Sequence, residues 1–326
     1  MGIITPWMRR IALKLNFVDK PNAAHKTHSQ AIPYLGGVAI IVGILATVYG
    51  SILSQENMRD FFWLATSLYG PALFLGVVGL VDDRVALEPF PRFIAQSVAG
   101  IFTAAFLIST DTLGNPSGNL VIDVLLTILL IVGITNSINF FDNLDGGAAG
   151  TVSVVAFGIF VLSYFNGQYL VSASAISIVA AMFGFLIWNK SPAKIYMGDA
   201  GALFLGTLIA SLTLRLDPDT ESRVISLSIP LMLLAIPILD TSVALLSRIR
   251  RGRSIFKGGK DHLSHRLLRK GFSKRESAYI LWSLAIVFTF ISVIVSMRES
   301  TSIFLLILSF IFWLGLFAFF FKSADD

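Results

Sequence analysis

The chain has 326 residues, 55% of them hydrophobic and only 14% charged, with a mean hydropathy of +0.77 and a net charge of +5. Length alone would allow two soluble domains, but this apolar excess excludes a soluble globular protein and points to one polytopic membrane domain spanning 1–326. With no cysteine there are no disulfides and no thiolate metal sites.

Residues 1–18 interleave Ile3, Ile4, Trp7, Met8, Ile11, Leu15 and Phe17 with Arg9, Arg10 and Lys14. That spacing predicts an interfacial amphipathic helix; three cations argue against a short spanning helix, and no cleavable signal is visible. Ten runs then read as crossings: 36–53, 61–80, 92–109, 120–138, 149–165, 169–188, 200–214, 224–247, 278–297 and 302–321. Since about 20 apolar residues span a bilayer, 149–165 and 200–214 are the weakest of these. The expected fold is all-α, a polytopic bundle of about ten transmembrane helices plus the N-terminal amphipathic helix.

Threading ten crossings puts 21 of the 25 Lys and Arg on one face, leaving Arg59, Arg215, Arg223 and Arg298 on the other. By the positive-inside rule the first face is cytoplasmic and carries both termini. The four histidines, His25, His28, His262 and His265, fall on the same side without having been used to assign it.

The chemistry-bearing clusters gather there too. Leu80-Val81-Asp82-Asp83-Arg84 ends an apolar run in adjacent carboxylates, which repel unless a proton or cation joins them. Either they serve a metal and a nucleophile, or they are solvated residues at a helix end with Arg84 as partner. Arg92 suits a phosphate or a membrane anchor.

Asn136 to Gly150 reads N-S-I-N-F-F-D-N-L-D-G-G-A-A-G, behind an apolar run from Leu120. Asn136, Asn139, Asp142 and Asp145 are each three residues apart and, if helical, present polar ridges to one cavity; the alternative is a turn that ends a span. Asp199, in Gly198-Asp199-Ala200-Gly201, precedes a span whose N-terminal amides suit phosphate, or simply caps it. The loop 248–277 holds eleven cations. Its arginines at 248–253 read as a lipid-headgroup patch, whereas His262, His265 and Arg266 form a donor cluster for phosphate or sugar. Asp240, inside an apolar run, lines the cavity or pairs with Arg248.

These residues resemble the polyprenyl-phosphate N-acetylhexosamine-1-phosphate transferases, the membrane family that includes the enzyme making lipid I and the enzyme attaching GlcNAc-1-phosphate to undecaprenyl phosphate. The likeness runs from about Val18 to Ser273: Asp19-Lys20-Pro21-Asn22 with His28 and Pro33-Tyr34-Leu35-Gly36-Gly37, the Asp82-Asp83 pair, the Asn139–Gly147 turn, Gly198–Gly201 and His262–Arg266. The resemblance implies Asp199 and Asn139 as ligands of Mg²⁺, with Mn²⁺ as a substitute, and Asp82, Asp83 and Asp142 as the acids nearest the reaction. It implies the nucleoside end of the turn at Asn136, Asn143 and Asp145, and sugar or diphosphate contacts from Arg92, His262, His265 and Arg266. His262-Leu263-Ser264-His265, where the lipid I enzyme typically carries three consecutive histidines, favours the GlcNAc branch. The chain departs from its relatives in its amphipathic start, in His25 where Arg is common and in Arg92 where Lys is common.

The expected activity is Mg²⁺-dependent transfer of an N-acetylhexosamine-1-phosphate from a UDP-sugar to undecaprenyl phosphate at the bacterial cytoplasmic membrane, with membrane lipids but no nucleic acid as partners, and a homodimer by analogy. Alternatives are a lipid I-type transferase, an Asp-bound intermediate, a lipid-binding scaffold, and a secondary transporter, whose acids would instead lie at the bilayer midplane.

Overall fold

A computed structural model describes residues 1–19, 32–110, 119–220, 222–254 and 259–323; Lys20, Pro21, Asn22, His25 and His28 lie outside the described residues. The elements run α1 (Ile4–Lys14), β1 (Val18–Asp19), β2 (Ile32–Pro33), α2 (Gly36–Ile52), α3 (Met58–Val85), α4 (Pro89–Ser109), α5 (Leu120–Phe141), α6 (Gly147–Phe165), α7 (Tyr169–Asn189), α8 (Gly198–Arg215), α9 (Arg223–Leu233), α10 (Ala235–Arg250), α11 (Leu263–Arg269), α12 (Lys274–Met297) and α13 (Glu299–Lys322).

Every run expected to cross is helical. Among the described residues seven helices (α3 to α7, α12 and α13) are long and apolar enough to span, and the bent pair α9–α10 makes an eighth. The chain is a multi-pass, all-α membrane protein. Two expected crossings fall short of that measure: α2 has 17 residues, and α8 carries Asp199 in its first turn and Arg215 in its last. The reason in α8 is its position: every residue from Ala200 to Thr213 is buried by protein, so close packing by small residues replaces lipid-facing bulk. The expected single span 224–247 is broken at Leu234, where α9 and α10 meet at 72°. Pro237 has no N–H to offer the Leu233 carbonyl, and a helix bends where that bond is missing.

Local signals set the other ends. Asn119 accepts from the Val121 and Ile122 amides at the head of α5, Pro89 occupies the first turn of α4, and Ser273 with Glu276 forms a capping box on α12. On α1, Ile3, Trp7, Leu13 and Leu15 stay exposed while Arg9 Nε donates to the Lys194 carbonyl (3.0 Å); an apolar face left open beside a tethered basic one is what an interfacial helix presents to lipid.

The strands β1 and β2 pair antiparallel, Val18 opposite Pro33. From there the backbone is zipped to the start of α8: the Tyr196 amide donates to Pro33 O (2.9 Å), the Gly36 amide to Tyr196 O (3.0 Å) and the Gly37 amide to Met197 O (2.8 Å). A β-carbon on Gly37 would collide with the Gly201 backbone and the Met197 carbonyl. Gly37→Val is therefore expected to destabilise the fold by about 1–3 kcal/mol or more, lowering Tm in detergent, whereas Gly50→Ala, with open space around it, leaves Tm within a degree or two of wild type, roughly.

Candidate active site

The C-terminal end of α3 delivers two carboxylates with different surroundings. Asp82 is buried; its Oδ1 accepts from the Leu87 amide (2.7 Å) and its Oδ2 from Arg92 Nη1 (3.0 Å). Arg92 also reaches toward Asp199 Oδ2 (4.0 Å), while the Asp199 carboxyl lies beside the side chains of Asp82 and Asn139. Two carboxyls meet this way only if a proton or a cation lies between them. Arg84, an alternative partner for the pair, stacks over the Phe17 ring at 5.5 Å instead.

Asp83 turns the other way. Its Oδ1 accepts from the Asp199 amide (2.8 Å) and its Oδ2 from the Ala200 amide (3.1 Å), while the Tyr34 hydroxyl donates to its carbonyl (2.9 Å). The α8 amides expected to receive phosphate thus hold a carboxylate of the protein itself, and Asp83, expected among the reacting acids, acts as a cap supplied from another helix.

The α5–α6 turn is only partly helical. The helix stops at Phe141 with Asp142 at its C-cap, and Gly146 takes a positive φ of 74°, so Asp142 and Asp145 do not continue a ridge from Asn136 and Asn139. Asn136, expected at the nucleotide, is clamped to Gln96: its Nδ2 donates to Gln96 Oε1 (2.7 Å) and its Oδ1 accepts from Gln96 Nε2 (3.2 Å). Gln96 was missed, although its place one turn after Arg92 puts it on the same helix face. Asp145 is buried and accepts from the Ala193 amide (3.2 Å) and the Tyr196 hydroxyl (3.5 Å), with Lys274 Nζ 3.7 Å away. It borders a cavity of about 160 Å³ whose walls include Lys190, Arg275, Tyr279 and Trp282. Trp282 donates to the Gly146 and Gly147 carbonyls and locks α12 onto the turn; nothing in the local sequence marks Lys274 or Trp282 as site neighbours. Removal from water, then the charges of Asp199, Asp83 and Asp145, hold the Asp142 carboxyl well above the usual range.

The histidine turn docks on the same end of the bundle. Ser264 Oγ donates to Asn143 Oδ1, and the His262 ring lies 5.7 Å from that of Phe140. The groups read as ligand donors are, however, largely engaged within the protein. Arg266 is buried and donates to the Asp261 carbonyl (2.8 Å), the Phe320 carbonyl (2.7 Å) and Ser247 Oγ (2.7 Å), stapling α11 to α10 and α13. Burial and then Arg269 lower it to about 10, so it stays charged at neutral pH. Arg248, expected at a lipid headgroup, is buried and forks onto Asp261 through Nε (2.7 Å) and Nη2 (2.8 Å). Burial pushes Asp261 up, but this guanidinium outweighs it and the carboxyl sits below its usual range. Asp240 pairs with His262 rather than Arg248 (2.7 Å). His265 has a buried Nδ1 with no partner among the described residues; burial, then His262, lowers it to about 4, leaving a neutral imidazole.

Separate stretches of chain therefore converge at one end of a membrane helix bundle, around a carboxyl pair, an amide and an arginine. Residues 65–217 match glycosyl transferase family 4. The chain is 34% identical over 303 residues to a probable undecaprenyl-phosphate N-acetylglucosaminyl 1-phosphate transferase of Bacillus subtilis, covering 90% of this chain and 81% of the relative. It is 33% identical to a decaprenyl-phosphate N-acetylglucosaminephosphotransferase of Mycobacterium leprae (83% and 75% covered). It is 29% identical to the undecaprenyl-phosphate alpha-N-acetylglucosaminyl 1-phosphate transferase of Escherichia coli (85% and 76%). The chain belongs to glycosyl transferase family 4.

Two outcomes follow from the site electrostatics. Asp83→Ala, which uncaps α8, should cost about 1–2 kcal/mol of stability and lower Tm in detergent more than Asp199→Ala, which leaves the cap in place. Because folding raises the Asp142 pKa, the native state binds a proton that the unfolded chain releases, and stability falls as pH rises from the ordinary carboxylate range toward that raised value. Asp142→Asn should flatten this alkaline fall in a series of Tm measurements against pH.

Proposed function

We propose that the protein transfers N-acetylglucosamine-1-phosphate from UDP-N-acetylglucosamine to undecaprenyl phosphate, releasing UMP and leaving a lipid-linked diphosphate sugar for envelope polysaccharide synthesis. The reaction is placed at the cytoplasmic face of a bacterial inner membrane, with both termini on that side. The observation that carries this reading is the meeting of Asp82, Asp199, Asn139 and Arg92 at one end of the membrane bundle, in a chain whose relatives are named for this transfer.

Asp199 and Asn139, with Asp82 beside them, are the residues that would hold Mg²⁺. Their donors are hard oxygens, and the carboxyl-to-carboxyl contact is a place where a cation can replace a shared proton. Mg²⁺ commonly takes one or two carboxylates and completes its shell from substrate phosphates and water. When bound, the metal supplies charge neutralisation at the diphosphate.

The chain's own groups do the rest by positioning. Arg92, anchored on Asp82, faces an incoming phosphate without being free to swing away. The acceptor is a phosphate monoester with a second pKa of about 6, so it arrives mostly dianionic. One of its oxygens bonds to the β-phosphorus as the bond to the bridging oxygen breaks, and UMP leaves with that electron pair. No protein base is required; Asp82 and Asp142 shape the field around the phosphates. The nucleoside is assigned to the Asp145 end of the turn, beside the cavity bordered by Tyr279 and Trp282.

Purified protein incubated with undecaprenyl phosphate, Mg²⁺ and a panel of UDP-sugars should release UMP and form the lipid product with UDP-N-acetylglucosamine. Asp199→Ala and Asn139→Ala should each lower kcat/KM by about 100-fold or more. Turnover undiminished by chelation of divalent cations, or no UMP from any donor, would refute the reading; UMP release with labelled protein in the absence of lipid would replace direct attack by a protein-bound intermediate.

A further inference from the structure

Asp240 is 1% exposed and sits three residues past the helix-breaking Pro237 in α10. A carboxylate in so apolar a setting is tolerated only when its oxygens are matched. Both are matched by one partner, the histidine turn: Oδ2 lies 2.7 Å from His262 Nδ1 and Oδ1 accepts from the Leu263 amide at 2.7 Å. The second contact serves an otherwise unpaired N–H in the first turn of α11.

The far side of the ring is equally specified. His262 Nε2 lies 3.4 Å from Arg248 Nη2, a nitrogen that only donates; the nearest acceptor, Asp261 Oδ1, stands off at 3.8 Å, because Asp261 is itself forked by Arg248. A carboxylate that accepts at Nδ1 and a guanidinium that donates at Nε2 select one tautomer, with the hydrogen on Nδ1 and a bare Nε2. The chain Asp240, His262, Arg248, Asp261 thus alternates acceptor and donor with every member buried. It presses on the α5–α6 turn through Phe140, whose ring meets both His262 (5.7 Å) and Arg248 (5.9 Å), and through the Ser264–Asn143 hydrogen bond.

We propose that Asp240 is a positioning residue for the transfer reaction, acting through His262 and the Leu263 amide to set the histidine turn against Phe140 and Asn143, next to Asn139. The inference rests on the reaction proposed above. It gives a role to a residue that the sequence singles out only as an acid inside an apolar run. Both ring nitrogens of His262 face protein groups.

Asp240→Asn is the isosteric probe. Its amide has one acceptor and one donor, so it cannot accept from both His262 and Leu263, and a donor facing Nδ1 would drive the imidazole hydrogen onto Nε2, against Arg248. Expected is a fall in kcat of about tenfold to a hundredfold, with KM for UDP-N-acetylglucosamine changed by no more than about twofold. His262→Gln should lose a comparable amount, and the double variant should be no worse than the poorer single one, since the two act as a unit. Solid-state ¹⁵N NMR of histidine-labelled wild-type protein in bilayers, with His262→Gln to assign the signal, should show His262 protonated at Nδ1.

A wild-type His262 carrying its hydrogen on Nε2 with a bare Nδ1 overturns the proposal, as does an Asp240→Asn protein that turns over like wild type. Should Asp240→Asn fail to fold, His262→Gln decides: full kcat overturns the proposal, and reduced kcat at an unchanged Tm supports it. The tautomer measurement needs no substrate, so absence of transferase activity in wild type would sink the reaction while leaving the Asp240–His262 geometry separately judged.

Discussion

Everything at the polar end of this bundle depends on one contact, the Asp83 carboxylate against the first amides of α8. Helix termini leave N–H groups unpaired, and the positive end of the helix dipole favours an anion. By supplying that anion from α3, the fold ties two long helices together where the next carboxylates must be placed. Asp82 and Asp199 follow by adjacency. The close seam between Gly37 and Gly201 then brings the loop 33–37 alongside, where Tyr34 donates back to Asp83.

The two polar clusters at this end differ in how completely their charges are matched. Around α10 and α11 each buried charged group has its partner: Arg248 with Asp261, Asp240 with His262 and a backbone amide, Arg266 with three oxygens. Such a buried network holds position, and removing one member leaves another uncompensated. Around α3, α5 and α8 the balance is different. Among the described residues Asp82, Asp142 and Asp199 gather with Arg92 as their near cation, and their excess negative charge calls for a proton or a further cation. On the function proposed above, the matched cluster is scaffold and the unmatched one the place where chemistry is done.

The bend at Leu234 joins the two. A straight helix would carry Asp240 along the bundle axis as one more intramembrane acid; the 72° break reorients α10, and Asp240 meets the histidine turn in place of lipid. The neighbouring α13 is held at its C-terminal end through Arg266 and the Phe320 carbonyl, so the turn is gripped from both sides.

The sequence by itself determined the all-α membrane class, the run of helices and the residues worth suspecting, because hydropathy, caps and charge asymmetry are local properties of the chain. It marked Asp82, Asn139, Asp199 and His262 as belonging together, and the structure brings their neighbourhoods to one end of the bundle. Only the tertiary structure decided what each polar group faces. Asp83 caps α8, Asn136 pairs with Gln96, and Arg266 is a buried staple, since hydrogen-bond partners forty or more residues apart leave no periodic trace. Spacing tells which groups share a helix face; packing alone tells which of them another helix has already claimed.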